Sequence, residues 1–171
     1  ISSEEKDKLE VLKKSVQDKN SNQDYKLALI SCYQSLSSIN NESISRHVRH
    51  VYNFYECFFE GLDKKEINYD SRIRDNIFEK DISYARVKIL SLIESIKCLD
   101  KQDIILEVLL NSSILSNNIK STLRRELMAL IDHSIHHGHI IHIGIKNQFN
   151  NIALKDEFYS PSTLESLKCV K

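Results

Sequence analysis

The chain has 171 residues, enough for one domain that buries a core without disulfides. Lysine and arginine together number 24, as do aspartate and glutamate, so no net charge favours nucleic acid or a membrane surface as a partner. Three glycines, one proline and no tryptophan are typical of long helices joined by polar connections.

The cysteines are far apart and form no CxxC pair, which indicates reduced thiols rather than a disulfide framework. No apolar run approaches the roughly 20 residues of a membrane span, and no signal-peptide pattern is present. These features predict a cytoplasmic protein that neither binds nucleic acid nor enters a membrane.

The N-terminal third predicts two helices of a bundle. Residues 1–20 are highly charged and predict an N-terminal extension or surface helix outside the main domain, residues 21–171. From Asp24 to Ile39 apolar residues recur every three or four positions, as in an amphipathic helix. Ser43 can cap a second helix that runs to about Gly61, a typical C-terminal stop.

The middle of the chain predicts a polar loop, a third helix and a short extended excursion. The loop covers residues 63–80, and the third helix runs from near Ile82 to Cys98 with an apolar side. Residues 103–119 contain two short β-prone runs that are consistent with a small hairpin.

A long last helix completes the predicted fold. Ser121 is placed to cap it, and it extends to about Lys146. Four principal helices result, so the sequence predicts an all-α four-helix bundle, with the option of a small β-hairpin before the last helix.

Histidines cluster on the last helix. On a helical wheel His133 and His137 lie about 40° apart and His136 lies about 60° to the other side, whereas His139 and His142 point elsewhere. An HxxxH pair places two imidazoles one turn apart, close enough to hold one metal ion. A histidine-rich helix can also be merely solvated, so the pair needs a further ligand from elsewhere in the core.

The second helix supplies two candidates for that ligand, His47 and His50. Its buried face is predicted to centre on Val51, Phe54, Phe58 and Leu62, and its wet face on Arg49, Asn53, Glu56 and Glu60. His47 points close to the centre of the buried face and His50 lies at its edge. The pattern slightly favours His47, and either residue can instead be a core histidine with a backbone partner.

Four ordered motifs resemble the DinB (DNA-damage-inducible)/YfiT-like superfamily of metal-dependent proteins. They are an HVRH helix within SISRHVRHVYNFYECFFEGL, the loop NYDSRIRD, the segment STLRRELMALIDHSIHHGHII, and the closing YSPSTL. The likeness covers about residues 24–164. A histidine at position 139 departs from the superfamily pattern, and residues 1–20 have no counterpart in it.

The resemblance implies a four-helix bundle with a crossover connection, a homodimer, and one divalent metal ion, Zn, Ni or Fe, held by three histidines. Residue by residue, it assigns His50, His133 and His137 as the ligands. His47 and His136 then become neighbouring residues or alternative ligands.

Other charged residues near these motifs carry weaker hypotheses. Glu126 can orient a ligand or act as a base, or it can simply lie at a helix start. Arg72 and Arg74 can hold an anionic substrate or form salt bridges that anchor the loop. Cys57 is predicted to be a packing residue rather than a ligand.

Two classes of function follow from a three-histidine site. The first is a metal-dependent enzyme acting on a small molecule, resembling the superfamily's thiol-dependent S-transferases, isomerases or hydrolases. The alternative is a non-catalytic metal-binding or stress-related helical protein. A helical interaction module without metal is a third reading.

Overall fold

The described chain is mostly helical, with one small sheet. The computed structural model describes Tyr33 and residues 42–100, 102–110, 118–148, 159–160 and 163–166. The extension predicted for residues 1–20 lies outside the described residues. So does the helix from Asp24 to Ile39, apart from Tyr33, which is helical and buried.

Four α-helices and three strands cover most of the described residues. In chain order they are α1 (Ile44–Leu62), β1 (Glu66–Ile67), a 3₁₀ helix (Tyr69–Ser71), α2 (Asn76–Lys80), α3 (Ile82–Lys97), β2 (Ile105–Val108), β3 (Ile119–Thr122) and α4 (Leu123–Gln148). The helical class is therefore confirmed, and the sheet is an addition to it. None of the helices among the described residues is long and apolar enough to cross a membrane.

The chain divides into two compact units. One comprises Ile1–His47 with Gly138–Lys171, and the other comprises Val48–His137. The second unit contains most of α1, the sheet, α2, α3 and the first half of α4. Its core consists of Phe58, Ile67, Leu106, Leu123 and Leu130, with partly buried aromatic and aliphatic side chains around them.

Helix α1 begins as predicted but ends for a different reason. The Ser43 hydroxyl accepts a hydrogen bond from the Arg46 backbone N–H at 3.1 Å, which satisfies a donor of the first turn. Gly61 lies inside the helix, where an added Cβ would overlap the carbonyl oxygen of Glu66. Glycine is therefore required by the close approach of β1. The left-handed residue of the following turn is Lys65, with φ of 57°.

A three-stranded sheet with the order β1-β2-β3 packs on α1 and α4 through the core. Strands β2 and β3 are antiparallel, and Leu106 pairs with Ser121, as the predicted hairpin requires. The second strand of the hairpin, β3, starts later than predicted. Strand β1 pairs in parallel with β2, and Ile67 lies opposite Val108. A two-residue strand in a polar stretch offers no period-2 pattern to recognise.

The segment 63–80, predicted as a loop, instead contains β1, the 3₁₀ helix and α2. Asp75 caps α2 by accepting the backbone N–H of Ile77 at 2.8 Å. Asp81 caps α3 by accepting the N–H of Ser83 at 2.8 Å. Helix α3 ends at Lys97, within one residue of the predicted end. Its apolar side is only partly covered, since Ile93 and Ile96 are exposed.

The predicted wet face of α1 is exposed at Glu60 but is covered earlier in the helix. Arg49 and Asn53 are buried. The Arg49 Nε donates to Glu79 of α2, and its Nη1 donates to the Asn53 side-chain oxygen at 3.4 Å. The Asn53 amide donates to Glu56 at 3.1 Å. Helix α2 therefore buries polar side chains that a helical wheel assigns to solvent.

The start of α4 corrects one predicted cap. Ser121 belongs to strand β3, and Thr122 accepts the backbone N–H of Arg125 at 3.3 Å. The Ser121 hydroxyl donates instead to Glu126 at 2.5 Å. The predicted boundary is therefore one residue early, because the last strand continues up to the helix.

Candidate metal centre

Three histidines from α1 and α4 come together in the second unit. The ligand nitrogens of His50, His133 and His137 all lie within 4.8 Å of one another. The ring centroids are 5.0 Å apart for His50 and His133, and 4.6 Å for each of the other two pairs. Among the described residues this is the one group of three or more His, Cys, Asp or Glu side chains arranged in this way.

The helix positions explain the arrangement. His133 and His137 lie one turn apart on α4, so their side chains stand on one face. Tyr55 and Ser134 join α1 to α4 beside them: their hydroxyl oxygens are 3.1 Å apart, and Ser134 donates to the Leu130 carbonyl at 2.7 Å. His50, on α1, is thereby brought against the pair.

One of the three histidines has a buried nitrogen that no described residue satisfies. The Nε2 atom of His133 is inaccessible to solvent and has no hydrogen-bond partner among the described residues. Burial lowers the pKa of His133, and the charges of His136 and Arg72 act in the same direction. The neutral ring, which carries a lone pair for a metal, is therefore favoured.

An aromatic ring and a cation flank the three histidines. Phe54 lies one turn after His50 on α1, with its ring centroid 4.2 Å from that of His133 and 5.0 Å from that of His50. Tyr69 stacks on Phe54 at 5.3 Å. The guanidinium carbon of Arg72 lies 4.3 Å from the Phe54 ring centroid. Phe54 thus contacts both the imidazoles and the loop that follows β1.

Glu126 is anchored by two hydroxyl groups. It is buried in the first turn of α4, and its carboxylate accepts hydrogen bonds from Tyr69 at 2.8 Å and from Ser121 at 2.5 Å. Burial and the bond to Glu126 raise the pKa of Tyr69, which keeps the phenol protonated as a donor. The interpretation of Glu126 as a helix-start carboxylate fits its position in the first turn of α4.

The remaining predicted residues do not join the three-histidine group. His47 is buried in the other unit, where its Nε2 lies 3.9 Å from Glu42. His136 is exposed, and its ring centroid is 5.2 Å from that of His137. Arg74 is exposed and lines a separate cleft of about 320 Å³ with Asn53, Glu56 and Lys88.

Three further side chains, Cys57, His139 and His142, lie outside the three-histidine group. Cys57 is buried, burial raises the pKa of its thiol, and it lines a cleft of about 200 Å³ outside the histidine group. His142 is buried in the first unit, its Nε2 is 3.4 Å from the Tyr159 hydroxyl, and it stacks with His139. None of these contacts involves the three histidines.

Sequence reasoning missed the residues that support the histidines. Phe54 was predicted to be buried but was given no place at the site, and neither Tyr69 nor Ser134 was given a role. Tyr69 lies in the NYDSRIRD motif, so the resemblance could have indicated it as a residue near the site. Ser134, one residue after His133, offered none, because its partner Tyr55 lies far away in the sequence.

No family model matches this chain, and no match is found among curated proteins or among solved structures. The likeness to the DinB/YfiT-like superfamily therefore rests on the sequence motifs, and the chemistry of the site rests on its geometry.

Proposed function

We propose that His50, His133 and His137 bind one divalent metal ion. The observation that carries the proposal is the convergence of three ligand nitrogens within 4.8 Å, one of them the unsatisfied buried Nε2 of His133. A buried polar atom without a partner is costly, and coordination to a metal removes that cost.

The donor set fits such an ion after a small adjustment. Imidazole nitrogens bind Zn²⁺ at about 2.1 Å, so two of them on a tetrahedral ion are roughly 3.4 Å apart. Pairs as far apart as 4.8 Å approach this separation when the rings rotate. Imidazole ligands accept Zn, Ni or Fe alike, so the donor set supports all three.

We further propose that the protein is a metal-dependent enzyme of the DinB-like kind. No fourth His, Cys, Asp or Glu joins the group among the described residues, so coordination positions are left for water or substrate. A bound ion at such a site lowers the pKa of water or binds a thiolate directly. Thiol-dependent transfer and hydrolysis of a small molecule are the reactions that the superfamily resemblance adds.

Elemental analysis of untagged protein, prepared without added chelator, tests metal binding. We expect about one divalent ion per chain. The variants His133→Ala and His137→Ala should lose it, whereas His139→Ala, which removes an exposed histidine of the same helix, should keep it. Metal-free wild-type protein whose stability does not respond to a chelator would overturn the proposal.

The visible spectrum of the Co²⁺-substituted protein separates an enzyme from a structural metal protein. With an exchangeable position, a small thiol such as 2-mercaptoethanol should coordinate the cobalt and introduce a thiolate charge-transfer band. A spectrum that does not respond to the thiol would indicate a closed coordination sphere and favour the non-catalytic metal-binding alternative.

A further inference from the structure

Arg72 presents a cation next to the three-histidine site. Its guanidinium carbon is 4.3 Å from the centroid of Phe54, and that centroid is 4.2 Å from the centroid of His133. The guanidinium carbon and the His133 ring centroid are therefore at most 8.5 Å apart, the total of these two distances. A ligand of a few bonds can span that interval.

The guanidinium of Arg72 has no carboxylate partner among the described residues. By contrast, two arginines of α1 are paired: Arg49 with Glu79, and Arg46 with Glu42 at 3.4 Å. Arg72 is half-buried, and within the described part of the chain its guanidinium lies over the Phe54 ring. Its planar group is held by the ring while its N–H donors are left for another acceptor.

The position of this charge is unfavourable for a bare metal site. An ion on His133 lies roughly 3 Å from the ring centroid, so it is at most about 12 Å from the Arg72 guanidinium. The two cations repel each other in this partly buried region, since the effective dielectric constant there is well below that of water. An anion between them is attracted to both charges. The arrangement therefore favours simultaneous binding of a metal and an anionic group over binding of the metal alone.

We propose that Arg72 binds the anionic group, a carboxylate or a phosphate, of the substrate that reaches the three-histidine site. Guanidinium binds both groups through paired, charge-assisted hydrogen bonds. The inference rests on the proposed metal site for its coupling, but not for anion binding itself. The proposal does not include Arg74, which is exposed and lines a separate cleft with Glu56 and Lys88.

Anion titrations of ¹⁵N-labelled full-length protein test the proposal directly. The Nε–Hε signal of Arg72 is identified by its loss in Arg72→Gln. Sodium acetate represents carboxylates, and sodium sulfate represents tetrahedral oxyanions such as phosphate. In metal-free protein we expect this signal to shift in a saturable way with at least one of the two anions, and the stronger one identifies the substrate's group.

The matched variants are Arg72→Gln, Arg74→Gln and Arg72→Lys. Charge-assisted hydrogen bonds contribute about 1.5–3 kcal/mol, so Arg72→Gln should weaken anion binding by about tenfold or more. Arg74→Gln should stay within about twofold, the scale of a screened surface charge. Arg72→Lys should retain part of the affinity, which separates loss of charge from loss of folding. An unshifted Arg72 signal, or equal effects at the two arginines, would overturn the assignment.

Zinc affinity, measured by competition with a coloured chelator, tests the coupling. The anion that binds should tighten Zn²⁺ binding in the wild type and in Arg74→Gln but not in Arg72→Gln, because coupling between two ligands is reciprocal. If Zn²⁺ does not bind while the Arg72 signal still titrates, the metal proposal fails and the anion site stands. If Zn²⁺ binds equally with and without the anion, the coupling through Arg72 is wrong.

Discussion

The Tyr69 hydroxyl donates a 2.8 Å hydrogen bond to the buried carboxylate of Glu126, and thereby ties the loop after β1 to the first turn of α4. Tyr69 also stacks on Phe54, which packs against His133. The same tyrosine thus holds the Glu126 carboxylate and supports the ring beside the histidines.

Tyr69→Phe should destabilise the protein. Removing the hydroxyl leaves a buried carboxylate with one fewer donor, which costs about 1.5–3 kcal/mol of the free energy of unfolding. Urea unfolding of Tyr69→Phe, Glu126→Gln and the double variant forms a double-mutant cycle. Costs that simply add, with a coupling energy below about 0.5 kcal/mol, would show that the bond contributes nothing of its own.

Substitutions of His50 and His47 should affect metal content differently. His50→Gln should reduce bound metal well below one ion per chain, because the structure groups His50 with His133 and His137. His47→Gln should retain the ion, since His47 lies outside that group. Elemental analysis after dialysis measures both. Metal lost from the His47 variant and kept in the His50 variant would contradict the geometry.

Gly61→Ala should destabilise the second unit although alanine favours helices. The intrinsic gain is about 0.5–1 kcal/mol, whereas forcing a methyl group into a filled space costs about 1–3 kcal/mol. The added Cβ would overlap the backbone of Glu66, which cannot rotate away as a side chain can. Glu60→Ala, at the exposed neighbouring position, is the control and should change the free energy of unfolding little. Equal unfolding free energies for the two variants would disprove the tight contact.

The phenol of Tyr52 should resist ionisation. Burial, followed by the nearby Glu56 carboxylate, raises its pKa from 10.0 to about 12. The group loses its proton more readily in the unfolded chain, so its stabilising contribution is complete below pH 10 and is lost as the pH rises towards 12. Ultraviolet absorbance measured against pH follows the ionisation of tyrosines, and the difference between the wild type and Tyr52→Phe gives the ionisation of Tyr52. Ionisation near pH 10 in folded protein would contradict the expected shift.

Helical periodicity predicted the elements well where one face of a helix meets one core. The third helix was placed within a residue of its observed end, and the Ser43 cap is confirmed. The same approach erred on α1, because α2 covers the side that carries Arg49 and Asn53. The wheel was right about burial, since His47 is buried and His50 is half-buried. Burial did not decide which of the two lies beside His133 and His137, and that residue is His50.

The four-helix bundle and the homodimer stay predictions from the resemblance. The sheet was foreseen only as a hairpin. Strand β1 depends on β2, some forty residues later in the chain, for its hydrogen bonds, and a two-residue strand carries no pattern of its own.

The amino-acid sequence alone predicts that His133 and His137 share a face, because a four-residue spacing on a helix sets that relation locally. It also placed Arg72 and Arg74 together in one loop. The fold brings His50, which the resemblance had assigned, against that pair. It also provides the hydroxyl partners of Glu126 and places Arg72 beside Phe54, two relations that helix periodicity does not predict. Those relations join residues far apart in the chain, and packing between elements sets their distances.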